Sequence, residues 1–323
     1  MRFVKSGVLI IDKPEGITSH GVVQRVKKAL GARKCGHAGT LDPFATGVLV
    51  VMINDATRLA PYLTELDKRY RAVVKLGAET DTLDRTGKIH QECPVPHLTI
   101  DHIKKATEKF VGIQQQTPPA FSAKRVGGVR LYKLARRGKS RQTQPKQVHI
   151  YSIDVLEWLN EGNLLTMEVH CSKGTYVRVI ARDLAKSLGT CGHLYRLTRM
   201  ACGQFDLGRS IPLSLVGELS EPYEISKYLI PPSSALGGFD ELWISKQGVV
   251  RLMDGARLEE GDLARLPLKL RDEVIYKALD ETGELVALVR LDARGASAGR
   301  SVAFKPVRVF THCGGFAAEK AGD

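Results

Sequence analysis

The chain has 323 residues, 43% of them hydrophobic and 26% charged, with a mean hydropathy of −0.14, a balance that fits a soluble protein with one large domain and a smaller one. No apolar run approaches the roughly 20 residues needed to cross a bilayer, and the run from Val8 to Ile11 is too short for a signal core, so a cytoplasmic, unanchored protein is expected. The formal net charge of +13 favours a polyanionic partner, because clustered Lys and Arg neutralise phosphates and release counterions. Six cysteines, at 35, 93, 171, 191, 202 and 313, and nine histidines show no Cys-x-x-Cys pair and no zinc-like spacing, which indicates reduced thiols and no metal site.

In chain order, Val8 to Ile11 has the pattern of a buried strand, ended by the turn Lys13-Pro14-Glu15-Gly16. Ser19 can cap a helix that closes at Gly31, with Val22, Val23, Val26, Ala29 and Leu30 along one face. The stretch Gly36 to Leu49 then places Asp42 in a glycine-punctuated turn, and Asp followed by Pro has the chemistry of a helix start. Tyr70 to Gly77 has strand composition, and Gly77 to Gly87, with its alternating Thr and Asp, is expected to be an exposed loop.

Between Lys124 and Lys146 nine basic residues occur without one acid; a solvated loop or an arm closing over folded RNA would suit that segregation, and the arm is favoured. Val148 to Trp158 and Leu164 to Cys171 alternate as strands around a turn, and Arg178 to Leu188 is predicted as a helix ended by Gly189. Ile230 to Gly238 is linker chemistry. Beyond it Val274 to Leu279, Leu285 to Arg290 and Ser301 to Phe310 predict short antiparallel strands of a small barrel. The expected division is 1–230 with a basic insertion at 115–148, a linker at 231–238, a small β domain at 239–313 and a disordered tail at 314–323.

Several segments together resemble the TruB family of tRNA pseudouridine synthases. They are Gly7 to Gly16 with Thr18-Ser19-His20, the Gly36 to Leu49 stretch, Asp67-Lys68-Arg69-Tyr70-Arg71 and Gln116 to Lys124. Leu131 to Gly138, Cys171 to Arg178 and His193 to Arg199 follow in the family's order and approximate spacing. The segment Val249 to Leu258, with Gly283 to Leu288, more loosely resembles the PUA-type RNA-binding module often found at the end of these synthases. Thr198 departs from the arginine that many relatives carry after Leu197. The resemblance implies an α+β fold: a mixed β-sheet core flanked by helices, with a small C-terminal PUA-like β-barrel.

It also implies conversion of uridine 55 in the T-loop of tRNA to pseudouridine. That reaction breaks the N-glycosidic bond, turns the uracil and joins C5 to C1′, so it needs no cofactor. By resemblance Asp42 is the catalytic carboxylate, attacking the sugar or removing a C2′ proton, and Arg178 pairs with it, since a nearby opposite charge keeps a carboxylate ionised. Replacement of Arg178 by alanine is expected to impair catalysis far more than folding. Tyr70 stacks on uracil or relays a proton, Tyr176 and Leu197 line the base pocket, His37 fills the space left by the flipped nucleotide, and Lys13 supports the site or contacts phosphate.

A guide-RNA-dependent synthase of the box H/ACA type and an RNA-binding protein without essential catalysis are the alternatives. The Leu76 to Thr82 loop and the long basic insertion favour the stand-alone form, while intact Asp42, Tyr70 and Arg178 argue against a degenerate enzyme. A monomer acting on the T-arm of tRNA, with no obligate protein partner, is expected.

Overall fold

The computed structural model describes residues 5–119, 121, 144–218, 224–225, 227–265, 270–292 and 302–310, and the backbone alone at 125–126 and 129–130. Most of the basic stretch 124–146 and the tail 314–323 therefore lie outside the described residues. Among those described, no helix is long and apolar enough to cross a membrane.

The larger sheet has ten strands: β1 (Gly7–Lys13), β2 (Cys35–His37), β3 (Thr46–Ile53), β4 (Lys68–Leu76), β7 (Gly112–Gln116), β10 (Lys146–Leu159), β11 (Leu164–Cys171), β12 (Gly192–Cys202), β13 (Phe205–Asp206) and β14 (Ile211–Pro212). Their order is β14-β1-β3-β12-β4-β11-β10-β7, with β2 on β3 and β13 on β12. The pairs β1–β14 and β3–β12 are parallel and the others antiparallel, so the sheet is mixed. Two short hairpins stand apart from it, β5 (Ala78–Thr80) with β6 (Ile89–Glu92) and β8 (Arg125–Val126) with β9 (Val129–Arg130).

Alternation along a strand sends successive side chains to opposite faces, and β1 and β3 are apolar on both. Leu9, Ile11, Leu49 and Val51 pack under helix α1 (Ser19–Leu30). Val8, Ile10, Val48 and Val50 share a core with Leu279, Leu285 and Leu288 of the second sheet and with Phe310 just after its last strand. Further along, Ala72, Val74, Leu165 and Met167 pack with residues of helices α2 (Ile100–Glu108) and α3 (Val177–Ser187). Each Val, Leu, Ile, Phe or Met among them removed from water contributes about 1.5–3 kcal/mol. The sheet is thus covered by helices on one face and by a second β layer over part of the other.

That second layer has six strands, β15 (Asp240–Ile244), β16 (Leu258–Glu259), β17 (Leu263–Arg265), β18 (Ile275–Leu279), β19 (Leu285–Leu291) and β20 (Ala303–Val309), with helix α4 (Lys246–Met253) beside them. The edge strands of the order β16-β20-β19-β18-β15-β17 are joined by a single turn, Glu260–Asp262, so the sheet curls into a nearly closed barrel.

Five expectations need correction. The cap of α1 is Thr18, whose side chain accepts from the Gly21 amide at 2.9 Å; Ser19 is buried and bonds the Leu41 backbone instead. Asp42-Pro43 opens no helix: the Ala45 amide donates to the Asp42 carbonyl at 3.1 Å, closing a turn that enters β3. Asp then Pro favours the first positions of a β-turn as much as a helix start, and the β-branched residues that follow choose the strand. The 77–87 segment is not an exposed loop, because Glu79, Thr80, Leu83 and Asp84 are buried. The stretch 231–238 is not free chain: Pro232–Ala235 is helical, and Ala235 and Leu236 enter the core shared by the two sheets. Finally, Cys93 and Cys191, 98 residues apart, form a disulfide, while Cys35, Cys171 and Cys202 are free thiols.

Candidate active site

The Asp42 turn is fixed from beneath by Lys13 at the end of β1. Its ammonium is fully buried and donates to the carbonyls of Pro14 at 2.9 Å, Pro43 at 3.1 Å and Ala45 at 2.6 Å. Three donors meeting three carbonyls at fixed angles hold the turn, and they leave Lys13 in a positioning place rather than at an open surface. Burial lowers its pKa to about 8, with Asp42 the leading opposing influence.

The unfolded chain keeps this proton to about pH 10.5, so between pH 8 and 10.5 it binds more protons than the folded chain, and stability rises with pH. The rise is at most about 3 kcal/mol at 1.36 kcal/mol per pH unit. A Lys13→Met variant should lack this part of the rise when melting temperature is followed from pH 8 to 10.5; parallel curves for the two proteins would contradict it.

Behind the turn, Gly47 adopts φ +95°, and a Cβ there would sit 2.3 Å from the Arg199 carbonyl. This close approach lets Arg199 of β12 reach across the site. Arg199 is 1% exposed and donates through Nε to Val48 O at 2.6 Å and through Nη2 to Gly39 O at 3.1 Å. Tyr70 faces it from β4 in register. Burial pushes the Tyr70 phenol up to about 12, although the Arg199 charge opposes this. It is therefore neutral near pH 7.

Arg178, at the first turn of α3, organises the charges. Its side chain is 4% exposed; Nε meets Asp42 Oδ2 at 3.0 Å and Nη1 meets Asp84 Oδ2 at 3.2 Å. Nη1 also donates to Thr82 O at 2.8 Å and Nη2 to Phe121 O at 2.9 Å. One planar fork thus spans two carboxylates and two carbonyls, which the point charge of a lysine could not match. Asp84 is held in turn by Thr82 and Thr86, whose hydroxyls donate to Oδ1 at 2.9 and 2.6 Å, and by the Thr86 amide at 3.0 Å.

A third of the Asp42 side chain, 35%, stays exposed, so this carboxylate forms the floor of an open site. Burial still raises its pKa, Arg178 opposes that most strongly, Asp84 adds to the rise and Lys13 works against it.

The apolar wall comes from the same strands. Tyr70 and Leu197 lie in one cluster with Leu41, Phe44 and Ala45, which flank Asp42, and with Val177 beside Arg178. Tyr176 caps α3 and is clamped by Gln116, whose side chain accepts from its amide at 2.7 Å and donates to its carbonyl at 3.1 Å. His37, half-buried, ends β2 opposite Val51. The structure thus gathers Asp42, Tyr70, Arg178 and Leu197 around one floor, with Lys13 beneath and Tyr176 at the helix entrance. Among the described residues no cluster of His, Cys, Asp or Glu has metal-holding geometry. A cavity of about 540 Å³ lined by Asp67, Arg69 and His170 opens on the other face, because Arg69 alternates with Tyr70 along β4.

Sequence reasoning missed Asp84 and the placement of Arg199. The Thr-Asp alternation of 80–86 was the available signal: such side chains satisfy one another in local turns, and here they do so around a buried Asp84.

Residues 27–177 match the family model described as TruB family pseudouridylate synthase, N-terminal domain. A curated relative, tRNA pseudouridine synthase B of Geobacter sulfurreducens, is 42% identical over 249 residues, 77% of this chain and 81% of the relative. The protein of the same name from Solibacter usitatus is 38% identical over 87% of this chain and 94% of its own. Among solved structures, an H/ACA ribonucleoprotein bound to a substrate RNA containing 2′-deoxyuridine aligns with a TM-score of 0.71 at 26% identity, covering 94% of this chain and 85% of that one. A Cbf5-Nop10-Gar1 complex aligns with the same TM-score at 28% identity and the same coverage.

Proposed function

The chain belongs to the TruB family of pseudouridylate synthases, and from that premise we propose that it isomerises uridine 55 in the T-loop of tRNA, alone and without a cofactor. The observation that carries the reading is the pairing of Asp42, at the floor of an open site, with a buried Arg178 at 3.0 Å. A carboxylate so placed can reach a ribose carbon, and the guanidinium opposes the burial that raises its pKa.

The base is taken out of the stack into the pocket of Tyr70 and Leu197, where the tyrosine ring takes the place of the neighbouring bases. Asp42 either bonds C1′ as the glycosidic bond breaks or removes the C2′ proton; both routes end with C5 joined to C1′ and the C5 proton released. Tyr176 lines the pocket, and His37 fills the gap in the loop. The synthases named for tRNA match at 38–42% identity, against 26–28% for the two H/ACA structures, which supports the stand-alone reading. The cytoplasmic, monomeric form and the RNA-binding roles of the basic insertion and of the unit from 239 onward belong to the same proposal.

The test incubates the protein with an unmodified tRNA transcript and maps pseudouridine by carbodiimide adduct and primer extension. A single stop reporting position 55 is expected. Stops elsewhere, or stops only after adding a guide RNA and partner proteins, would contradict the proposal.

Tyr70→Phe should reduce turnover by about tenfold or more with tRNA affinity unchanged, because the stacking ring is kept while a hydroxyl able to relay a proton is lost. Single-turnover kinetics beside filter binding reads both quantities, and wild-type turnover would remove the hydroxyl from the mechanism.

A further inference from the structure

The Cys93–Cys191 disulfide stands apart from the Asp42 site, yet both touch one element. Its Cα atoms are 5.6 Å apart, and it joins the exit of the β5–β6 hairpin to the entry of β12. The Cys93 amide donates to Gly77 O at 2.9 Å, and the Gly77 amide donates to Cys191 O at 2.8 Å, so three segments meet at the bridge. At the far end of the hairpin, the Leu194 amide donates to Leu83 O at 3.0 Å and the Arg85 amide to Leu194 O at 3.0 Å. Between those last two anchors lies Asp84, and Thr82 O beside it accepts from Arg178.

The hairpin is tied to the body mainly through its inner strand, where His193 Nδ1 meets Ala78 O at 2.7 Å and Lys186 approaches Glu79 to 3.6 Å. Its outer strand is the exposed part: all four residues of β6 face solvent, Ile89 at 57%. The covalent link ties the exit of this exposed strand to the entry of β12, the strand that also anchors the tip carrying Asp84 and Thr82.

The bridge can also be reached. Cys93 is half-buried and Cys191 only 1% exposed, and Cys93 lines an open crevice of about 480 Å³ with Lys75, Gly77, Val95 and Asn163. The remaining described thiols are poor competitors: burial pushes Cys35 up to about 11 and Cys171 up to about 12, and raises Cys202 as well.

We propose that Cys93–Cys191 is a thiol-exchange site for a small or protein dithiol reductant, and that its redox state sets the rigidity of the hairpin that carries Asp84. A thiolate of the reductant attacks Cys93 Sγ and displaces Cys191 as a thiolate, which takes up a proton. The second thiol of the reductant then attacks its own sulfur in the mixed disulfide and releases Cys93 as a thiol. Two electrons and two protons pass from reductant to protein, and the reductant leaves as a disulfide.

The full chain is poised in oxidised or reduced dithiothreitol, its free thiols are counted by maleimide gel shift, and hydrogen exchange is followed over residues 78–92. The oxidised protein is expected to keep Cys93 and Cys191 unlabelled, and reduction should speed exchange in that segment about threefold or more. A Cys93→Ser/Cys191→Ser variant should show the faster exchange under both conditions. Labelling of both cysteines after oxidation, or identical exchange in the two states, would overturn the site. The coupling to turnover rests on the proposed reaction and is read separately: turnover should fall on reduction in the wild type and not in the double variant, and a fall in both would overturn the coupling. The exchange measurement needs no activity, so failure of the proposed reaction leaves it readable.

Discussion

Asp42→Asn is expected to lower turnover by at least about 10⁴-fold, the scale seen when a group that reacts with substrate is removed, while leaving tRNA binding and melting temperature near wild type. The substitution keeps the shape of the side chain and its place in the turn, whose Ala45 amide bonds the Asp42 backbone and not its carboxylate. It removes the charge that would meet the ribose. Asp42 is also the less buried of the two carboxylates on Arg178, at 35% against 6%, so losing its charge leaves Arg178 paired with Asp84. Folding should therefore be nearly indifferent to a change that catalysis does not tolerate. Calorimetry, filter binding and single-turnover kinetics check the three parts; a large drop in melting temperature would assign Asp42 a structural role.

Arg178→Ala is expected to fail in two separable ways. Turnover should fall about a hundredfold or more, because a preorganised charge beside the reacting group is lost. Stability should fall by about 3–5 kcal/mol, the cost of stranding a buried charge, and here the stranded charge is Asp84. Folding is thus touched more than the sequence alone suggests, since a lone Asp42–Arg178 pair at an open site would have cost little. Adding Asp84→Asn to Arg178→Ala removes the stranded charge. The double variant should regain much of the stability and none of the turnover, as read by denaturant unfolding and single-turnover kinetics. Recovery of turnover together with stability would mean that Arg178 acts only through folding.

These two variants mark where the sequence was legible. The apolar runs of β1 and β3, the helix closed by Gly31 and the strands on either side of the 159–163 turn could be read from periodicity. So could the strands near 275–279 and 285–291, because burial on one or both faces leaves a local pattern. Asp-Pro marks the Asp42 turn but serves turn and helix alike, and only the strand partners of β3 decide between them.

Long-range pairings left no local trace. Asp84 sits in a polar stretch whose composition matches an exposed loop, and its burial depends on Arg178, 94 residues later. Cys93 and Cys191 carry no spacing signal, so only the meeting of three segments at Gly77 reveals the bridge. Leu236 looked like linker because glycine and proline surround it, whereas its burial is set by the distant β1, β3 and β19.

The central proposal, that Asp42 drives isomerisation of one tRNA uridine, is tested most directly by tritium release from uracil C5. An unmodified transcript is compared with one carrying cytidine at position 55, and wild type with Asp42→Asn. Release from the wild-type protein on the first transcript alone, and none from Asp42→Asn, is the predicted result. No release despite tight tRNA binding, or equal release from Asp42→Asn, would contradict it.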